Sequence, residues 1–253
     1  MEPGIAKDGK FMKWSNLVRA GLVRVDGDKL VSVDGNLQGS LTVDSSIKLV
    51  CREAFCNCMY LTDIVLPYTC TAIGDLAFKN CKRLKSFKLP ACVEKIGRVI
   101  FFKCHELRHI TVDMYNDYYE TGDTENAIVD KTTGTLVAGC FNTKIGNNVN
   151  AIGQGAFNGC KNLMDIYIPA RVNRIDSFAF ANCINLEDVS IASMCATVMG
   201  SAFAGCNNLT EIMIHKGCTV ANNAFDDCTR VIVVDKLVRK EDFGGSIEEL
   251  VAF

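Results

Sequence analysis

The chain is poor in the residues that catalysis and membrane insertion draw on. It holds three histidines, one tryptophan and four prolines in 253 residues. His105, His109 and His215 leave few candidates for general acid–base work. No Gly-rich loop has the spacing of a phosphate cradle; the glycines fall at turns of a repeat. No apolar run is long enough to cross a bilayer, and residues 1–20 contain none of export-signal length, so the chain reads as soluble. A net charge of −2 excludes a global electrostatic pull toward nucleic acid or a membrane surface.

What the chain has in abundance is apolar residues, 49% of the total, in strict order. One phenylalanine recurs at Phe55, Phe78, Phe101, Phe157, Phe180, Phe203 and Phe225. The steps are 23, 23, 56, 23, 23 and 22, and the long one is an ordinary step plus 33 residues. Three places after each stands Cys58, Cys81, Cys104, Cys160, Cys183, Cys206 or Cys228. Three further stands a leucine, from Leu61 to Leu209, with Val231 in that column at the last copy. A fixed period in the twenties signals stacked coils, none able to bury its apolar face alone. Such a fold presents a surface rather than enclosing a catalytic pocket.

Fourteen cysteines invite a disulfide or metal reading. Their positions argue against it. Seven form the column above, and Cys70, Cys195 and Cys218 share another with Ile47, Val93, Val149 and Val172. Exchange with valine marks a small buried apolar site, which a free thiol fills. Side chains of stacked coils also point the same way, which suits disulfide geometry poorly. Cys51, Cys56 and Cys58 include a Cys-x-Cys pair, but no second pair follows, so no metal or other cofactor is expected.

One coil shows the local logic. In Leu61–Leu66 the alternation of Ile64 and Leu66 is that of a strand with one buried face. Pro67 stops it, as do Pro90 and Pro169 in their coils. Cys70 and Ile73 mark a second short extended piece. Gly74-Asp75 then turns the chain, with Asp75 expected to cap a short helical turn at Leu76-Ala77-Phe78. Asn57, Asn80, Gly159, Asn182 and Gly205 before the cysteine predict a left-handed exit. The fold class is a β-rich α/β solenoid: a right-handed leucine-rich repeat with a parallel sheet, short helical turns and repeats of about 23 residues.

The motif I-xxx-AF-xx-C-xx-L-xx-I-xIP-xx-V stands nearly whole at Ile73–Val93 and Ile152–Val172. With it the chain resembles the BspA-like, treponemal-type leucine-rich repeat family over roughly residues 41–234. The stretch from Asn126 to Cys140 also looks like the hairpin-bearing longer coil of such proteins. The resemblance implies adhesion or other protein recognition, often by secreted or cell-surface proteins.

Three regions follow. Residues 1–40 lie outside the repeat, carry Trp14 and two hairpin-like turns, and read as an amino-terminal cap. Residues 41–234 form the solenoid, interrupted by an insertion at 113–145 with a hairpin around Lys131–Gly134. Residues 235–253 read as the end cap, where Ser246 and Glu249 form a capping box.

Function is then expected on outward positions of the sheet. Lys85, Lys88, Arg108 and His109 make a basic end. Asp165, Asp188 and Glu211 make an acidic end, with Met164, Tyr167 and Met213 as apolar anchors. The other reading is a plain solvated face. The insertion is the second candidate: residues 113–130 hold six acidic side chains, no basic one, and Tyr115, Tyr118 and Tyr119. Those tyrosines either contact a partner or pack the loop onto its coil. The expected chain is a monomeric, non-enzymatic module that binds a protein partner, adhesin-like, and neither nucleic acid nor the interior of a membrane. The alternative is a structural spacer in a larger assembly.

Overall fold

The computed structural model describes residues 4–7, 10–225 and 229–235, and places them in a β-solenoid of parallel strands with little helix. Each coil has three sides. The first is a four- to six-residue strand, as in Tyr60–Val65, Ser86–Leu89, Asp165–Ile168 and Asp188–Ile191. These strands pair in parallel at the repeat step, Phe87 opposite Ile110 and Ile166 opposite Val189. The second side is a two-residue strand, and these stack as Val50, Ile73, Ile96 and as Ile152, Ile175, Val198, Val220.

The third side carries the phenylalanine, and it is not helical. A helix would send every N–H back into its own coil. Here they alternate. Glu53, Phe55 and Asn57 donate to Asp75, Ala77 and Lys79 of the next coil at 2.8–3.0 Å. Ala54, Cys56 and Cys58 donate three residues back within their own coil. The alternation requires left-handed residues, and Glu53, Leu76, Val99, Phe178 and Ser201 hold φ of 56–61°. Asp75 therefore caps nothing in its own coil; its Oδ1 accepts from Arg98 N at 2.8 Å, one coil on. The left-handed exits before the cysteines do occur, at φ 65° for Asn57, 62° for Asn80 and 60° for Asn182, and Asn80 Nδ2 donates to Asn57 Oδ1 at 2.7 Å.

The core is the ladder that the period predicts. Phe157, Phe180, Phe203 and Phe225 stack at 4.9–5.0 Å with nearly parallel rings. Cysteine thiols line it and do more than fill space. Cys81, Cys104, Cys183 and Cys206 donate to the carbonyls of Phe55, Phe78, Phe157 and Phe180 at 3.1–3.2 Å. Every described cysteine is a free thiol. Burial pushes Cys58 up to about 12, and Cys70 and Cys140 up to about 11.

Two columns slip where the sequence departs from its own motif. The proline position holds Ala192 in one coil, and there Cys195 turns outward while Ala196 takes the buried place. In the last coil Val231 leaves the leucine column. It pairs with Ile212 and is exposed, and Ile232 is the buried residue. Cys228 and the capping box at Ser246 and Glu249 lie outside the described residues.

The amino-terminal elements dock on the first coil. The hairpin Gly4–Lys7 and Lys10–Lys13 pairs with Gln38–Thr42, and the hairpin Val23–Asp26 and Lys29–Val33 pairs with Leu49–Val50. Between them the helix Trp14–Arg19 buries Trp14 and Leu17.

The insertion divides the molecule. Its strands Glu125–Asp130 and Thr135–Lys144 form a hairpin, with the turn held by Asp130 Oδ1 on the N–H groups of Thr132 and Thr133. The chain regains the repeat at Thr135 and Leu136, which pair with Ala151 and Ile152, within the 113–145 insertion itself. Gly139 then takes the ladder place of a phenylalanine: its N–H donates to Ala156 O at 3.0 Å, as Phe55 donates to Ala77. A Cβ there would lie 2.3 Å from Phe157 Cε1. The buried residues form two clusters that meet at this seam.

Candidate recognition surfaces

The outward positions of the strand face are where alternation places them. Lys85, Lys88, Arg108 and His109 are exposed, as are Met164, Asp165 and Tyr167. Asp188, Glu211 and Met213 are only half-exposed. The structure does not unite them into one bipolar face. Ser86–Leu89 pairs with His109–Val112, and Asp165–Ile168 pairs with Asp188–Ile191, but among the described residues no pairing joins the basic strands to the acidic ones. The hairpin of the insertion occupies the space between. Two patches result, each with its own sign of charge.

The lead of the insertion is the more organised feature. Asp113 follows the strand His109–Val112; its Oδ2 accepts from Lys88 Nζ at 2.8 Å and its Oδ1 from Tyr115 N at 3.1 Å. Those partners, Lys88 first, hold its carboxyl below the usual carboxylate range. Asn116 is buried and ties the loop from within. Its Nδ2 donates to Pro90 O and Val93 O at 2.8 and 3.0 Å. Its Oδ1 accepts from Tyr118 N and Tyr119 N at 2.9 and 2.7 Å, and its carbonyl accepts from Lys131 Nζ at 2.6 Å.

That framework sorts the tyrosines. Tyr119 is not a contact residue: it is 7% exposed, and its hydroxyl reaches Glu94 O at 3.4 Å. Burial raises its phenol above the ordinary range. Tyr115 is 76% exposed and Tyr118 46%. Met114, which sequence reasoning missed, is 83% exposed. Asn116 was equally hidden in the sequence, although Asp113 and Asn116 each bond the N–H two residues on, a pattern that short polar side chains signal.

Several carboxylates of the insertion serve the fold. Asp123 accepts from Asn147 N and Asn148 N at 2.8 and 3.0 Å, and Glu120 accepts from Asn148 Nδ2 at 3.1 Å. Among the described residues no cluster of three histidine, cysteine or acidic side chains is placed to hold a metal. No described helix is long and apolar enough to cross a membrane. His215 is structural, with its ring nitrogens 2.9 and 3.0 Å from Met194 O and Asp235 O.

Against known proteins, the profile for the BspA type leucine rich repeat region matches in six copies over residues 35–132 and 135–235. The chain belongs to that family. No curated sequence matches it. Among solved structures it is similar to a leucine rich cell surface protein from Faecalibacterium prausnitzii, at 25% identity and TM-score 0.58, over 85% of this chain and 62% of that one. It is also similar to the pneumococcal vaccine antigen PcpA, at 19% identity and TM-score 0.61, over 85% of this chain and 65% of that one. The BspA-type chain thus spans less than two thirds of either relative. Family and neighbours together make it a repeat module of the protein-interaction kind.

Proposed function

We propose that this BspA-type module is an adhesin-like, non-catalytic binder of a protein partner, with the loop at Met114, Tyr115 and Tyr118 as its contact tip. The observation that carries the reading is the Asn116 framework. It holds three large, exposed, apolar side chains on a hydrogen-bonded base, so little ordering cost remains at binding. Aromatic side chains on a rigid loop are the usual anchors of recognition. Lys85, Arg108 and His109 are exposed at the opposite end of the strands Ser86–Leu89 and His109–Val112 that lead to the tip, and suit a partner with an acidic rim. The patch of Met164, Asp165 and Tyr167 beyond the hairpin serves as a separate, secondary contact. Catalysis is unsupported by the thiols, because burial raises those of the core and a protonated thiol is inert.

The test is capture of surface-protein fractions by the wild type and by a Met114, Tyr115 and Tyr118 triple alanine variant. Loss of a saturable partner in the variant, with unchanged urea unfolding, is the expected result. Retention of that partner by the variant, and its loss on reversing Asp165, Asp188 and Glu211, would move the site across the hairpin.

A further inference from the structure

The 56-residue step hides a juxtaposition on the turn side of the solenoid. The insertion leaves the stack there, so the coil at residues 98–105 lies directly against the coil at 154–162. Arg98 Nη1 donates to Gln154 Oε1 at 3.0 Å, and Asn162 Nδ2 donates to His105 O at 2.8 Å. On the other flank Glu106 N donates to Lys82 O at 3.3 Å. Lys82, His105 and Lys161 therefore occupy one column on successive coils of this side, one place after the cysteine ladder. Lys103 stands beside His105 with its backbone in the left-handed region, φ 60°, and its ammonium over the Phe102 ring.

All three lysines are exposed, and none forms an ion pair with a described carboxylate. Glu106, the one acidic side chain here, sits in the next column between Arg83 and Asn162. His105 Nδ1 is buried with no hydrogen-bond partner among the described residues, which leaves Nε2 as the nitrogen that meets solvent. Three like charges thus stand on the same coil as His105 or one coil away, without an ion pair to a described carboxylate.

We infer that Lys82 and Lys161, which flank His105 on the neighbouring coils, together with Lys103 two residues before it, form a binding site for a tetrahedral oxyanion, a sulfate or phosphate group. Lysine ammonium groups supply the charge and Nε2–H a directed donor. The state of the empty site agrees with this. Burial, then Lys161, Lys82 and Lys103, all hold His105 below its ordinary value. A bound oxyanion offsets the lysine field and so raises His105 toward its ordinary value.

The experiment follows the ring resonances of His105 by NMR, with His109 and His215 as internal references and ionic strength held constant with chloride. One arm adds inorganic sulfate and the other a sulfated hexasaccharide. The expected result is a saturable rise in the pKa of His105 alone, lost in the Lys82→Ala/Lys161→Ala double variant, with folding checked by Trp14 fluorescence. Saturation by inorganic sulfate identifies the free ion as sufficient. A response only to the hexasaccharide assigns the site to sulfate groups carried on a chain. If His105 moves no more than the two reference histidines in both arms, the site does not exist.

Discussion

At the residue scale the cysteine column explains itself only in three dimensions. A valine would fill the same space, but a thiol also donates to the phenylalanine carbonyl one coil back. The exchange of cysteine with valine in the sequence made burial legible, while the donor role left no trace there. Burial has a consequence for pH. The thiols of Cys58, Cys70 and Cys140 move from the ordinary 9.0 to about 12, 11 and 11. A raised folded-state value means that the unfolded chain loses protons first as pH climbs. Their contribution is thus fully present below pH ~9 and disappears between pH ~9 and ~12. Urea midpoints should be level from pH 7 to 8.5 and fall steeply above that; midpoints unchanged at pH 10.5 would contradict the burial. Reagent access follows the same division. Cys92 and Cys195 are exposed and should react in the native protein, with the ladder thiols reacting only after denaturation. Phe180, fully buried between two stacked rings, should cost about 3–5 kcal/mol on truncation to alanine in urea unfolding.

At the element scale the strands were legible and the turns were not. Alternation at Ile64 and Leu66 and the stop at Pro67 read directly as a half-buried strand. The turn Leu76–Phe78 reads as helical by its spacing, because i and i+3 neighbours look alike in a helix and in successive three-residue turns. What decides between them is the neighbouring coil, which takes every second N–H and forces Leu76 to φ 56°. Sequence pattern within one coil carries no record of that competition. The same holds for Asn116, whose side chain acts on two different coils. Replacing it with alanine removes the side-chain partner of Val93 O and of the N–H groups of Tyr118 and Tyr119, and leaves Pro90 O only the 3.4 Å bond from Val93 N. The loss should be about 1–3 kcal/mol. It should also be local: amide exchange at Tyr118 and Tyr119 should speed up while the Phe180 coil keeps its protection. Partner affinity should fall too, since a loosened loop pays ordering entropy on binding. Each of Tyr115 and Tyr118, if it anchors the interface, should cost roughly 2 kcal/mol on truncation, about thirty-fold in Kd, with stability untouched.

At the scale of the whole molecule the question is how the two core clusters are coupled. A solenoid transmits stability only between adjacent coils. Here the adjacent pair at the seam lacks a ring-on-ring contact, because Gly139 stands in the phenylalanine place and Phe157 covers it. The period revealed that an extra segment was present, yet it could not show that a glycine inside it would continue the ladder. Coupling across the seam rests on the strand Thr135–Lys144, which puts Leu136 in one cluster and Ala138 and Cys140 in the other, on the Arg98–Gln154 and His105–Asn162 bonds, and on Gly139 against the Phe157 ring. Gly139→Val tests it. The added side chain meets Phe157 edge-on at well under contact distance, so that ring must leave its stack with Phe180 or the hairpin must lift. The displaced ring damages the carboxy-terminal cluster, and a lifted hairpin uncovers in the amino-terminal cluster only Ile128, Ala138 and Cys140 at the seam. Trp14 lies in the amino-terminal cluster and reports that half alone, while far-UV circular dichroism reports both. In the wild type the two signals should unfold together in urea. In the variant part of the dichroism should be lost at lower urea, with the Trp14 transition left near its original midpoint. Equal shifts of both signals would mean that the seam transmits stability as fully as an intact ladder. No shift in either would mean that Gly139 does not bear on Phe157.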